Sequence, residues 1–398
     1  MRSPEDIRKF WLMAALGGAV TAVGLAAAHF MELHGHVVTG MNNQVVWGLP
    51  HVFAIFMIVA ASGVLNVASI GSVFGQPVYK PRAPLSGLLC IALLLGGLMV
   101  LMLDLGRPDR VIVAATHYNF RSVFAWNVFL YSGMTGIVIV YLWTMFERRL
   151  NHWSKPAGLA ALVWRFVLTT GTGSIFGFLS ARPAYGSALL APLFIVLSFG
   201  WGLATFLIVQ STMYAWESRH LDAAVQRRMA RLLGIFIAAS LYLVAVVHLT
   251  NLYFARQGAF ERFILLGQDG GGAQALLFWV GYVLLGAVIP LVLLFHPRLG
   301  AGPNGERWTL AAALLIVVGG FAWLYVFIIG GQVFPLEIFP GHVAHSSFGD
   351  GVVADYRPSL PELLLGIGGL GAAFLITVVG VRAFDFMPQD DFISAAEA

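Results

Sequence analysis

The chain of 398 residues is far more apolar than a soluble domain, because 59% of its residues are hydrophobic and only 11% are charged. Soluble domains are typically about 25% charged. The formal net charge of +4 does not indicate a nucleic-acid partner, since arginines between apolar segments are better explained by orientation in a bilayer. The single cysteine, Cys90, lies within an apolar segment, which excludes an internal disulfide, a cysteine-ligated iron–sulfur cluster and a CxxCH haem attachment. The composition therefore predicts a polytopic membrane protein.

Ten apolar segments are each long enough to cross the hydrocarbon core of a bilayer, which takes about 20 residues. They lack the alternating pattern of membrane barrel strands, so we predict an all-α integral membrane protein. The N-terminal sequence MRSPEDIRKFW is interpreted as the start of the first span, because it has no convincing signal-peptide cleavage pattern. The predicted spans cover residues 10–30, 48–74, 84–104, 122–146, 157–180, 187–214, 230–252, 274–296, 308–330 and 361–382.

The distribution of lysine and arginine predicts the orientation of these spans. With the N-terminus inside, the inner segments hold 15 of the 23 lysines and arginines and the outer segments hold seven, which indicates that both termini are cytoplasmic. Histidine shows the opposite bias, which no orientation rule requires. Eight of the 11 histidines lie at or beyond the outer ends of spans, namely His29, His34, His36, His51, His117, His248, His342 and His345.

The third span ends in the charged stretch LDLGRPDR, in which Gly106 and Pro108 form a helix stop signal. This signal places Asp104 in the last turn of the span, at the outer membrane edge. A carboxylate at that edge with Arg107 or Arg110 nearby is a candidate for proton uptake and release. A simpler interpretation is that an aspartate–arginine pair only fastens the helix end to the following loop.

Polar and aromatic residues from several spans are expected at a similar outer depth if the first helices form a bundle. Such a mixture suits a quinone, because aromatic walls hold its ring, polar groups hydrogen-bond its two oxygens and bases accept protons from quinol. A single histidine at this depth is more often an interfacial hydrogen-bonding residue, so the prediction depends on the joint pattern. The residues are His29, His51, Asp104, His117, Tyr118 and Asn127, beside Trp47, Phe53 and Trp126.

Haem binding, transport and simple anchoring are the alternatives. A transmembrane cytochrome typically needs axial histidine pairs at two depths, whereas His29, His51 and His248 could serve one outer haem at most. Arg165 lies inside the fifth span, where it would suit a proton path or a secondary transporter. A transporter predicts ionisable residues near the midplane in corresponding halves, and the sequence has no such pair. An anchor without its own quinone chemistry predicts that the outer histidines and Asp104 are dispensable.

The stretch DLGRPDR, followed by a short loop and NFRSVFAWNVF, resembles the signature of the NrfD family of polysulfide reductase membrane subunits. Asp104, Arg107 and Arg110 match its first part, together with the Leu-Gly and Pro between them. Ser122 and Trp126 match the second part loosely, because the glycine that often follows the tryptophan is an asparagine in this chain. Within the family, GMNNQVVWGLPHVFAIFMIVAASG and GQVFPLEIFPG most resemble the DsrP group, from the DsrMKJOP complexes of sulfur-metabolising bacteria.

The resemblance implies one polytopic domain, residues 1–398, with two four-helix bundles flanked by spans one and ten. Spans two to five, about 48–180, would form the first bundle, and spans six to nine, about 187–330, the second. It also implies a haem-free subunit in a bacterial inner membrane that binds menaquinone or ubiquinone near the outer face. A ferredoxin-like iron–sulfur subunit would dock outside, alongside further cytochrome or catalytic subunits.

The predicted function is electron exchange between the quinone pool and the iron–sulfur partner, with proton uptake or release near the outer face. Asp104 and Arg107 are carried over from the motif as the proton-handling pair, and His51 is added as a proton acceptor because of its depth. No metal site is predicted. The residues predicted to bind the quinone are His29, Tyr118, Trp126, Asn127 and His248.

Overall fold

The computed structural model describes residues 4–216, 222–297, 299, 304–336 and 351–384. The regular secondary structure in these ranges is helical throughout, and ten of the helices are long and apolar enough to cross a membrane. The predicted all-α membrane fold is confirmed. The helices are α1 Pro4–His34, α2 Leu49–Ser72, α3 Ala83–Leu103, α4 Val111–Thr116, α5 Val123–Phe146, α6 Ser154–Gly177, α7 Leu190–Trp216, α8 Ala223–Tyr253, α9 Gly258–Leu266, α10 Gly272–Phe295, α11 Gly305–Val333 and α12 Leu360–Phe384.

Several helices are longer than the apolar segments that predicted them. Helix α1 begins at Pro4 and α8 at Ala223, because the charged ends of a membrane helix extend past the hydrocarbon core and are missed by hydropathy. Local capping sets other boundaries. Ser122 precedes α5 and its side chain accepts a hydrogen bond from the backbone N–H of Ala125, which satisfies one of the free N–H groups in the first turn.

The long helices pack in two groups of four. Helices α2, α3, α5 and α6 pack around one another, and α7, α8, α10 and α11 form a second group. The two remaining long helices, α1 and α12, both lie beside the first group. Helix α1 packs along α12, and α12 packs against α3 and α2. Helix α2 therefore lies at the centre of the molecule, in contact with both groups and with α12.

The two groups meet closely where α2 crosses α7. A Cβ atom on Gly63 of α2 would overlap the backbone of Ser198, and one on Gly202 of α7 would overlap the backbone of Gly63. Small residues let membrane helices approach until their backbones touch, which maximises van der Waals contact in the absence of a hydrophobic driving force. The close approach of α2 and α7 thus depends on two glycines.

Arg165 lies buried in the interior of the first group. Its Nη1 donates hydrogen bonds to Oδ1 of Asn66 at 2.7 Å and to the carbonyl oxygen of Ser62 at 3.3 Å. The guanidinium also lies over the rings of Phe166 and Phe199. Within the described ranges no carboxylate forms an ion pair with it. Neutral oxygens and aromatic faces therefore hold this cation.

Candidate functional site

The ends of two neighbouring helices bring Asp104 and His51 together. Asp104 follows the last residue of α3, and His51 lies in the first turn of the antiparallel α2. Oδ2 of Asp104 lies 2.8 Å from Nδ1 of His51, and the aspartate side chain is only 1% exposed. We call this end of the molecule the outer end, after the orientation predicted from the arginines. The structure thus joins two of the three predicted catalytic residues.

The carboxylate of Asp104 is buried without a hydrogen-bond donor. The contact with His51 is close, but its direction does not satisfy hydrogen-bond geometry, so neither carboxylate oxygen has a donor among the described residues. Leaving a buried acceptor unsatisfied costs about 1–3 kcal/mol, and native structures retain few such groups. The imidazole of His51 is the polar group that the structure places within ion-pair distance of this carboxylate.

His36 holds the backbone of Asp104 from the loop that precedes α2. Its Nε2 donates a hydrogen bond to the carbonyl oxygen of Asp104 at 2.9 Å. His36 lies in a short 3₁₀ turn, His36–Val38, that follows α1. The sequence places His36 among the outer histidines, but the predicted site does not include it. The clustering of histidines in that short loop is the signal that could have placed it there.

An open cleft of about 380 Å³ lies over the pair, which is within the size range of small-molecule sites. The indole of Trp47 is stacked near the imidazole of His51, with ring centroids 6.1 Å apart and an angle of 28° between the planes. Phe124 and Phe176 pack against the same indole. The cleft is lined by His36, Met41, Val46, Trp47, His51, Asp104, Leu105 and Gly106. An aromatic wall, an imidazole and a buried acid thus face one space.

Arg107 does not contact the Asp104 carboxylate, so the expected aspartate–arginine pair is wrong in its geometry. Its guanidinium donates two hydrogen bonds of 3.0 Å to Asp109, and its side chain is 64% exposed. This bidentate contact lowers the pKa of the Asp109 carboxyl and raises that of Arg107. Asp109 lies in the short 3₁₀ turn Pro108–Arg110, which folds it back towards Arg107. Arg107 therefore pairs with Asp109 and not with Asp104.

Two predicted quinone residues instead shape the loop before α5. The ring of Tyr118 packs edge-on against Phe120 and Phe129. Trp126 is exposed, and its indole N–H donates a hydrogen bond to the carbonyl oxygen of Phe120 at 2.6 Å. Neither residue lines the cleft. They are placed as an interfacial aromatic pair that fixes the loop, which is a common position for tryptophan and tyrosine.

Two further predicted residues also lie outside the cleft lining. His29 is exposed on α1. Asn127 is buried in α5, where its Nδ2 donates to the carbonyl oxygen of Val123 at 2.9 Å and its Oδ1 has no partner among the described residues. The similar depth that the sequence predicts for these two side chains is not matched by a shared cleft, because they lie on different helices.

His248 belongs to a separate cluster in the second group of helices. Its Nδ1 lies 2.6 Å from Oε2 of Glu261, and Nδ2 of Asn251 donates to Oε1 of Glu261 at 2.7 Å. Glu261 is fully buried and lies in α9, which closes the end of this group. The adjoining cavity of about 30 Å³ has room for a water molecule but not for a quinone ring. The prediction that groups His248 with His51 does not match this arrangement.

Two sequence predictions cannot be placed. His342 and His345 lie outside the described residues. Among those that are described, no three histidine, cysteine, aspartate or glutamate side chains lie close enough together to hold a metal ion.

Known proteins resemble this chain over most of its length. Residues 37–336 match the family model described as polysulphide reductase, NrfD. The chain is 31% identical to the Hdr-like menaquinol oxidoreductase integral membrane subunit of Archaeoglobus fulgidus, with 97% of this chain and 95% of the relative covered.

More distant relatives have related names. A putative dimethyl sulfoxide reductase membrane subunit of Halobacterium salinarum is 27% identical, over 90% of this chain and 88% of the relative. A polysulfide reductase polypeptide of Wolinella succinogenes is 24% identical, over 73% of this chain and 96% of the relative. The matched range includes Asp104, Arg107 and every residue of the cleft lining except His36. The chain belongs to the NrfD polysulfide reductase family.

Proposed function

We propose that this chain is the quinol-reacting membrane subunit of a multi-subunit redox complex, and that the quinol binds in the cleft over His51 and Asp104. The observation that carries the proposal is the contact between the buried Asp104 carboxylate and His51, which lies under an aromatic-walled cleft. A quinol hydroxyl in this cleft is a hydrogen-bond donor to the imidazole. The name of the Archaeoglobus relative, a menaquinol oxidoreductase subunit, supports the same substrate class.

The residues of the cleft fit a quinol by their chemistry. Quinol supplies two electrons and two protons when it is oxidised. The imidazole of His51 accepts the hydrogen bond of one hydroxyl at Nε2, and the apolar wall of Trp47 packs on the ring. His51 turns Nδ1 towards Asp104, and the negative carboxylate stabilises the imidazolium that forms when His51 takes up a proton at Nε2. The pair therefore provides an acceptor and a counter-charge for one proton, and the second proton leaves to water through the open side of the cleft.

We assign no proton-transfer step to Arg107, because its guanidinium is held by Asp109. Its exposed position next to the cleft suits the docking of an acidic partner. A ferredoxin-like iron–sulfur subunit bound at the outer end would receive the electrons, and further catalytic subunits would complete the complex. The quinone is menaquinone or ubiquinone. The proposed location is a bacterial inner membrane with both termini in the cytoplasm, and membership of the DsrP group is the narrower form of this proposal.

The test is photoaffinity labelling of the intact complex, purified from native membranes, with an azido-quinone. Mass spectrometry of the labelled protein should find the label on the peptides that contain residues 36–51 or 104–106, and excess unlabelled menaquinol should compete with it. Label confined to the peptides around His248 and Glu261 would move the site to the second group of helices. A fully assembled complex that takes up no specific label would identify the protein as an anchor. A haem spectrum assigned to this polypeptide would also contradict the proposal.

A further inference from the structure

The loop that carries Trp47 has no regular secondary structure of its own. It connects the 3₁₀ turn that ends at Val38 to the start of α2 at Leu49. Backbone N–H and C=O groups in such a loop need partners elsewhere, and those partners decide where Trp47 lies. The loop is therefore placed by contacts with distant parts of the chain.

Gln332, in the last turn of α11, supplies these contacts for Trp47. Its Oε1 accepts hydrogen bonds from the backbone N–H groups of Val46 and Trp47, both at 3.0 Å. Its Nε2 donates to the carbonyl oxygen of Trp47 at 3.0 Å and to that of Ile328 in its own helix at 2.9 Å. The side chain is 1% exposed. All four hydrogen-bonding positions of the amide are used, and three of the bonds go to the loop.

Arg182 ties the same two segments together a second time. Its guanidinium donates one hydrogen bond to the carbonyl oxygen of Gln332 at 2.8 Å and another to the carbonyl oxygen of Gln44. Gln332 is thus held at its backbone while its side chain holds the loop. Helix α11 has a wider, π-helical turn at Val326–Gly330, directly before Gln332, and such turns are frequent at functional sites.

We infer that Gln332 is a positioning residue for the quinol site, acting through Trp47. The second group of helices would in this way set the position of an aromatic wall in the first group. Gln332 does not line the cleft, and it reaches the cleft through the main chain of Trp47, whose indole stacks on His51. The inference rests on the proposed function, because the wall matters to catalysis only if the cleft binds quinol.

The first test uses hydrogen–deuterium exchange in the intact complex to measure the hydrogen bonds between Gln332 and the loop that carries Trp47. Gln332→Leu removes all four hydrogen bonds, so the amides of Val46 and Trp47 should exchange at least about tenfold faster than in the unaltered protein. Gln332→Glu keeps the oxygen that accepts from these two amides, so their protection should be largely retained. Unchanged exchange in Gln332→Leu would overturn the inference, whatever the activity of the complex.

The second test measures quinol oxidation by the same variants. A displaced indole weakens quinol binding while His51 and Asp104 stay in place, so KM should rise about tenfold in Gln332→Leu and kcat should stay within about threefold. In Gln332→Glu the oxygen that accepts from the amides of Val46 and Trp47 remains, so KM should stay close to that of the unaltered complex. Faster amide exchange with an unchanged KM would overturn the inference.

A double-mutant cycle shows whether Gln332 acts through Trp47. In a Trp47→Ala background, Gln332→Leu should add no further increase in KM, and an additive increase would overturn the inference. Gln226→Leu is the matched control, because Gln226 is another buried amide. It lies in the first turn of α8, at the inner end of the molecule and away from the cleft. It should change neither the exchange of the loop nor KM. If the unaltered complex oxidises no quinol, the proposed function fails. The exchange measurement still shows whether Gln332 holds the loop that carries Trp47.

Discussion

Asp104 and His51 contact each other at 2.8 Å although 53 positions of sequence separate them, and the aspartate side chain is 1% exposed. Asp104, the acid of the family motif, is thereby paired with the imidazole of His51 and not with the guanidinium of Arg107. Because the two side chains share a cleft with an aromatic wall, this contact is the basis on which we propose a role for the motif in proton transfer.

Asp104→Asn should slow quinol-linked electron transfer by about 10²- to 10⁴-fold, the usual contribution of a positioned general acid or base. Asparagine keeps the shape of the side chain but loses the charge that stabilises protonated His51, so insertion and assembly should be preserved. Steady-state oxidation of a menaquinol analogue by the purified complex measures the loss.

Asp269→Asn is the control for that variant. Asp269 is exposed in the loop after α9 and adopts a positive φ of 52°, which asparagine tolerates well. Its turnover should match that of the unaltered complex. If Asp104→Asn instead abolishes assembly while the surviving complexes turn over normally, Asp104 is a structural residue.

Glu261→Gln should reduce stability without changing the KM for quinol. The buried Glu261 carboxylate accepts from Asn251 and contacts His248, which ties α9 to α8. Loss of its charge weakens these bonds by about 1–3 kcal/mol, which thermal unfolding of the purified complex in detergent would detect. A raised KM at unchanged stability would show instead that His248 belongs to the quinone site, as the sequence predicts.

Asn66→Leu should destabilise the first group of helices by about 2 kcal/mol, because it removes a hydrogen bond to a buried cation. The double variant Arg165→Met/Asn66→Leu should recover much of this loss, since it removes the charge as well. Denaturation of both variants and of the unaltered protein in detergent measures the two changes.

Asn127→Leu is the matched control for Asn66→Leu. Asn127 is equally buried, but among the described residues its amide reaches only Val123 in its own helix, so its loss leaves no buried charge behind. Its stability should be close to that of the unaltered protein. An equal loss of stability in both leucine variants would contradict the role given to Asn66 as a partner of Arg165.

Gly63→Ala should weaken the joint between the two groups of helices, because the added Cβ overlaps the backbone of Ser198. Overpacking of this kind costs about 1–3 kcal/mol, visible as a lower unfolding temperature and yield. Gly18→Ala is the control, since a Cβ there meets no atom within 4 Å. It should be neutral or slightly stabilising, as alanine favours a helix over glycine.

The sequence by itself determined the membrane fold, the ten long helices and the end of the molecule at which chemistry is expected. These properties are local, because twenty apolar residues in a row and a Gly-Arg-Pro helix stop act whatever the rest of the chain does. The motif likewise identified the family before any contact was known.

Only the tertiary structure decided which side chains meet. Depth along a helix gives one coordinate of a residue, whereas its face and its neighbouring helix give the other two. The sequence predicts His29, Tyr118, Trp126 and Asn127 at one depth, but none of them lines the cleft. Gln332 and Trp47 lie 285 positions apart and are joined only where α11 reaches the loop before α2. Such contacts arise from helix packing, and no short stretch of sequence encodes them.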